Sequence, residues 1–247
     1  MSDPDGDTVP RMSRRELRQL REALPDAPPQ PQSPGLFPPA QPSIPTPAAH
    51  PAAATILTVC TGNICRSPMA EALLRARLRD LGVRVHSAGT HALVGHAMTE
   101  QALALATRFG AAETDARGHA ARLLTEAILT ESDLVLAMTR EHRSYIVQLA
   151  PSLLRRAFTV REFARLAATL SDAQIRSAAD ATGSAAGDRL RALAALVGGQ
   201  RGLVLAQADE DDVIDPYRRS QETYELSASQ LGPAIDQVER AVRAALE

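Results

Sequence analysis

Residues 55–72 read Thr55-Ile56-Leu57-Thr58-Val59-Cys60-Thr61-Gly62-Asn63-Ile64-Cys65-Arg66-Ser67-Pro68-Met69-Ala70-Glu71-Ala72. Three kinds of sequence follow one another here without a gap. Ile56-Leu57-Thr58-Val59 is an apolar, β-branched run that predicts a buried strand. Cys60 to Arg66 is a short loop holding a glycine and an asparagine. Ser67-Pro68-Met69-Ala70-Glu71 then opens a helix, with Ser67 expected as N-cap, Pro68 at the first helical position and Glu71 in the first turn. A loop between a buried strand and a helix N-terminus is a natural anion site. Its backbone N–H groups point at the ligand, and the helix dipole favours negative charge.

The side chains specify more than anion binding. Cys60 and Arg66 stand as Cys-x5-Arg, so a loop wrapped around an oxyanion brings a sulfur and a guanidinium to it. Arg66 suits bidentate binding of two oxygens, a geometry lysine does not offer. Loop N–H dipoles, Arg66 and the Ser67 hydroxyl all favour a Cys60 thiolate, the form that acts as a nucleophile. Gly62 and Asn63 tolerate the positive φ that a tight cradle needs. Cys60 and Cys65 do not suit a metal site, because the chain holds no further cysteine and no nearby histidine pair. A nucleotide loop of the Gly-Lys-Ser/Thr kind is excluded, since the chain contains no lysine.

The run Val59 to Glu71 resembles the signature of the low-molecular-weight protein tyrosine phosphatase family, in particular its bacterial (actinobacterial-like) members. A second motif, Asp215-Pro216-Tyr217, stands where that family carries its general acid, and the resemblance spans roughly residues 55–247. It implies a three-layer α/β/α fold with a small, doubly wound, four-stranded parallel sheet. It also implies Cys60 as nucleophile, Arg66 as phosphate clamp and Asp215 as acid, with Thr61, Gly62, Asn63, Ile64 and Cys65 completing the phosphate loop. By the same resemblance Asn63, Ser67, Ser87 and His119 hold the loop open, and Tyr217 lines the site wall. No metal or other cofactor is implied. The chain departs from the family in having Arg122-Leu123 where a glutamine often lies two residues after Ala120, and Arg218-Arg219 where a second aromatic often follows Tyr217. That added positive charge favours acidic surroundings in a substrate.

Of 17 prolines, 13 fall within residues 1–51, so residues 1–54 read as a disordered tail that cannot repay the entropy of folding. Within it, Ser13–Leu24 has the pattern of a short helix, either a docking segment for a partner or membrane surface or a transient solvated turn. The remaining residues, 55–247, are expected to form one domain. Two cysteines, both in the loop, point to a reducing compartment without a disulfide scaffold. No 18-residue apolar run or ordinary secretory signal is visible, so membrane insertion is not expected and the cytoplasm is the default. A net charge of −2 gives no pull toward nucleic acid.

Along the chain, helices are expected over Ala70–Leu81 (stopped by Gly82), Thr99–Phe109, Thr125–Leu129, Arg140–Leu149 and Arg161–Ala168. Strands are expected at Val83–His86, Asp133–Met138 and Ala157–Val160, with residues 111–122 as a loop. Residues 170–211 read as an insertion of two amphipathic helices, Ser171–Ala181 and Gly187–Val197. Ser220–Leu246 is a long helix whose continuity Gly232-Pro233 threatens.

The chemistry expected is two-step phosphoryl transfer from a phosphorylated protein: Cys60 attacks phosphorus, Asp215 protonates the leaving group, and water then hydrolyses the phosphocysteine. Asp212, three residues upstream, is the fallback acid. Cys65 is either a small apolar filler or the partner of a protective disulfide with Cys60. Phosphotyrosine is the leading substrate class. Phosphoarginine on the same machinery, thiol-coupled arsenate reduction and a non-catalytic phosphate-binding module are the rivals.

Overall fold

The computed structural model describes residues 53–204 and 210–247. Strand β1 (Thr55–Cys60) is buried along its whole length, because its alternating side chains serve two covered faces of a sheet. Strands β2 (Arg84–Gly89), β3 (Leu134–Ala137) and β4 (Ala157–Thr159) complete an all-parallel sheet in the order β2-β1-β3-β4. The chain passes from β1 to one neighbour, then returns to the opposite side for β3. The C-terminal end of β1 is therefore a switch point, where departing loops diverge and leave a crevice.

Nine α-helices are present among the described residues: α1 (Arg66–Arg77), α2 (Glu100–Arg108), α3 (Glu113–Arg117), α4 (Glu126–Thr130), α5 (Arg140–Leu149), α6 (Val160–Ala167), α7 (Asp172–Asp180), α8 (Ala186–Gly198) and α9 (Gln221–Leu246). On one face, Ile56, Leu134, Leu136 and Phe158 share a core with Leu73 of α1, Leu105 of α2, Phe163 of α6 and Leu231 of α9. On the other, Leu57, Val59, Val135 and Ala137 pack against Leu129 of α4 and Ile146 of α5. The result is a three-layer α/β/α fold, as the sequence predicts.

Several local expectations are corrected. Helix α1 begins at Arg66, with Cys65 in the N-cap position and no side-chain cap. Ser67 is therefore not the cap, Pro68 is the third helical residue, and Glu71 lies in the second turn, where it is buried. The physical reason is that the Ser67 hydroxyl is engaged by Cys60 and Asn63 rather than by the helix terminus. α1 ends at Arg77, and a 3-10 turn at Arg79–Leu81 leads to Gly82, whose φ of 64° is left-handed. β2 runs on through Ser87-Ala88-Gly89, since pairing with Thr58-Val59-Cys60 satisfies its backbone. Residues expected as loop hold the short helix α3. Helix α9 is not broken at Pro233, because Leu231, Ala234 and Ile235 on either side are buried and hold both halves in place. The Ser13–Leu24 helix lies outside the described residues.

The two helices at 170–211 do form, and they join the main core instead of standing apart from it. Ser171 and Gln174 make a reciprocal capping box at the start of α7. Ile175, Ala179, Leu190, Leu193, Ala194 and Val197 are all buried in the cluster that includes α9. Polar anchors add direction: Arg191 Nη2 meets Asp133 Oδ1 at 2.6 Å, and Arg189 Nε donates to the Ala245 carbonyl at 2.7 Å. Leu193→Ala, which empties a fully buried site, is expected to cost roughly 2–5 kcal/mol in chemical denaturation. A loss under about 0.5 kcal/mol, the range of a surface change, would show that this helix pair is dispensable to the core.

Candidate active site

The loop from Cys60 to Cys65 closes the gap between β1 and α1, and its backbone is turned inside out. All its carbonyls are taken by surrounding groups. Cys60 O accepts from Thr90 N (2.9 Å), Thr61 O from His91 N (3.0 Å), Gly62 O from Leu93 N (3.0 Å), Ile64 O from Thr99 N (2.9 Å) and Cys65 O from Met69 N (3.2 Å). Asn63 O accepts from His119 Nε2 at 2.7 Å. The N–H groups of residues 61–66, by contrast, donate to no backbone carbonyl among the described residues. A ring of free donors at a helix N-terminus is a nest for an oxyanion. Asn63, with φ of 56°, supplies the left-handed residue; Gly62 does not have positive φ, contrary to expectation. Gly89 sits directly beneath, where a Cβ would meet the Thr61 carbonyl at 2.4 Å, so only glycine admits this approach.

A buried network fixes the loop and orients its protons. Asn63 Oδ1 accepts from the Arg122 backbone N–H at 2.9 Å, which settles which end of the amide is NH2. Asn63 Nδ2 then donates to Ser67 Oγ (2.9 Å) and Ser87 Oγ (2.7 Å). Ser87 passes its own proton to Glu71 Oε2 at 2.5 Å. Ser67, already accepting, is left to donate to Cys60 Sγ at 3.0 Å. His119 braces the far side, with Nδ1 3.7 Å from Glu71 Oε2. Burial pushes the Glu71 carboxyl up, but hydrogen bonds from His119 and Ser87 and the charge of Arg75 outweigh it, so the group is held below the ordinary carboxylate range. Glu71 is thus a fixed negative terminus for the whole chain of donors. The sequence reading missed this role, because the spacing made Glu71 look like a first-turn dipole residue.

Arg66 is 4% exposed and lies over the loop mouth. Its Nη2 is 2.8 Å from Asp215 Oδ2, its Nη1 donates to the Val213 carbonyl at 3.1 Å, and its buried Nε has no protein partner. Asp215 also accepts from Tyr217 N at 3.2 Å, a turn across Pro216. Cys60, Thr61, Gly62, Ile64, Cys65, Arg66, Asp215 and Tyr217, joined by His91 and Leu93, line one cavity of about 150 Å³. Asp212, the fallback acid, is not among the lining residues. Its carboxylate caps α5 at Arg140 N (2.8 Å) and pairs with the Arg140 guanidinium at 3.2 Å. Asp211 is clamped by Arg165, and Val213 N donates to Met138 O, so the segment leading to Asp215 is tied down at successive residues.

Residues 55–175 match the family model described as low molecular weight phosphotyrosine protein phosphatase. Over 99 residues the chain is 46% identical to the low molecular weight protein-tyrosine-phosphatase Etp of Escherichia coli K12, covering 40% of this chain and 64% of Etp. Over 110 residues it is 38% identical to the protein-arginine-phosphatase of Bacillus subtilis 168, covering 44% of this chain and 71% of that protein. The chain belongs to the low-molecular-weight phosphotyrosine protein phosphatase family. The crystal structure of a low molecular weight protein tyrosine phosphatase from T. tengcongensis superposes with a TM-score of 0.52 at 29% identity, covering 75% of this chain and 97% of that one. The chain thus spans just under two thirds of the length of Etp.

Within this low-molecular-weight phosphatase fold, three positions carry contacts that the sequence did not signal. His142 on α5 is buried, with Nε2 2.9 Å from Thr61 Oγ1 and Nδ1 2.8 Å from Thr139 Oγ1. Burial, then the charge of Arg66, lowers its pKa to about 4, so it is a neutral imidazole bracing the first residue after Cys60. His91 lines the cavity and leans on Tyr145, the ring centroids 6.1 Å apart. Leu93 adds an apolar wall. Their partners lie on separate elements, so no local pattern could reveal them. Cys60 and Cys65 are free thiols. Cys65 Sγ contacts Thr99 Oγ1 at 3.5 Å and Tyr224 Oη at 3.6 Å, and burial pushes its thiol up despite those bonds.

Proposed function

We propose that this protein hydrolyses phosphotyrosine in protein substrates through a phosphocysteine intermediate. The observation that carries the reading is the convergence of Cys60 Sγ, the Arg66 guanidinium and the Asp215 carboxyl on one cavity floored by free N–H groups. The N–H groups of residues 61–66 and Arg66 take the equatorial oxygens of a phosphoryl group and place phosphorus over sulfur. The incoming dianion competes with Asp215 for Arg66, which releases the carboxyl toward the leaving oxygen. Freed from Arg66, the Asp215 carboxylate takes up a proton from solvent; the Cys60 thiolate then forms the S–P bond as the O–P bond breaks, and Asp215 delivers that proton to the leaving oxygen. Asp215, now a carboxylate, takes a proton from water as water attacks phosphorus. The Ser67 hydroxyl donates to the departing sulfur, a role for which its 3.0 Å contact is already in place.

Tyr217 and Leu93 offer flat, apolar walls suited to an aromatic ring between them. The B. subtilis relative keeps phosphoarginine as the second reading. No helix among the described residues is long and apolar enough to cross a membrane. The test is phosphate release from matched phosphotyrosine and phosphoarginine peptides. Preference for phosphotyrosine is expected. Preference for phosphoarginine would keep the mechanism and overturn the substrate, and release from neither would overturn the assignment.

A further inference from the structure

We propose that Arg218 and Arg219 form a cationic rim at the mouth of the Cys60 cavity that selects phosphorylated segments carrying Asp or Glu beside the phosphoresidue. This rests on the phosphatase reading above and deepens its substrate class. Arg218 has a φ of 59°, a left-handed conformation that an L side chain adopts only when the surroundings impose it. The turn that imposes it is closed by Arg219 N donating to Pro216 O at 2.9 Å and by Tyr217 N donating to Asp215 Oδ1. As a result the Arg218 guanidinium lies over the Tyr217 ring, 5.2 Å from its centroid, and Tyr217 is itself a wall of the cavity. The Arg218 guanidinium is thereby held next to a wall against which a bound phosphoresidue would lie.

Arg140, Arg165, Arg201 and Arg243 are each held by a carboxylate of the protein. Arg218 and Arg219 are exposed, and neither is ion-paired among the described residues. Arg108, Arg155 and Arg176 are likewise exposed without a carboxylate partner among the described residues, so what sets the rim apart is its place beside the Tyr217 wall of the cavity. The nearest carboxylates upstream in the chain are paired, Asp215 with Arg66 and Asp212 with Arg140. The phosphoryl charge is taken deeper in, by Arg66 and the loop N–H groups. What remains for two planar, fork-shaped cations outside the cavity is the carboxylates that flank the phosphoresidue.

The test uses the full-length protein and phosphotyrosine peptides of one length, flanked by Glu or by Gln. At low salt, kcat/KM for the Glu peptide is expected to exceed that for the Gln peptide by about 3- to 10-fold, the range for two exposed ion pairs. The ratio should shrink toward one at about 1 M salt, where the screening length falls to about 3 Å. In the double variant Arg218→Glu, Arg219→Glu the ratio should drop below one, and a ratio within one preparation does not depend on how much of it is folded. para-Nitrophenyl phosphate, which has no flanks, separates the two layers. Its turnover together with equal rates on both peptides, or with a ratio unmoved by the double variant, overturns the rim alone. No turnover of para-nitrophenyl phosphate removes the phosphatase reading and the rim with it.

Discussion

Cys60→Ser should lower kcat for phosphotyrosine release by on the order of 10⁵–10⁶-fold, as loss of an essential nucleophile does elsewhere. The substitution is nearly isosteric at a site only 2% exposed, so the cradle should survive it. What changes is the nucleophile, since a serine hydroxyl attacks phosphorus far less readily than the cysteine sulfur it replaces. Phosphate binding should persist, because Arg66 and the loop donors are untouched. Steady-state rates supply the first readout, and the rise in Tm with added inorganic phosphate supplies the second. A variant that loses both has collapsed and says nothing about nucleophilicity. One that keeps phosphate-dependent stabilisation and still turns over within tenfold of the parent would remove Cys60 from the mechanism.

Asp215→Asn should cut kcat by about 10²–10⁴-fold for a poor leaving group such as phenol, the usual worth of general acid catalysis. With a dinitrophenol leaving group, which departs as a stable anion, the loss should be far smaller. The substitution keeps an oxygen that can accept from Tyr217 N, so the Asp-Pro-Tyr turn is preserved. It does remove the ion pair with Arg66, but the Asp215 side chain is 51% exposed and such pairs contribute little to stability. The leaving-group dependence is therefore the decisive quantity. A flat profile across leaving groups, equal to the parent's, would show that Asp215 is not the proton donor. Asp212 would be a poor substitute, since its carboxylate is committed to the first turn of α5.

The sequence by itself determined the strand–loop–helix unit and, through the resemblance its motifs carry, the fold class and the groups proposed to react, and the reason is local. A buried strand, a six-residue turn and a helix start are each set by short-range periodicity, and Cys60 and Arg66 sit within one such unit. The second motif needed only its three consecutive residues to be visible. What tertiary structure decided was where protons and charges go. Glu71 looked like a helix-start residue until Ser87 from β2 and His119 from a distant loop were brought against it. Ser67 looked like a cap until Asn63 folded back on it and turned its hydroxyl to Cys60. His142 carried no signal at all, and became a brace for Thr61 only when α5 packed beside the end of β1. In the sequence Asp215 is singled out only by its Asp-Pro-Tyr motif, with Asp212 three residues upstream as the fallback. Only the cap at Arg140 and the cavity beside Arg66 give them different work, because hydrogen-bond direction and burial are set by partners far along the chain.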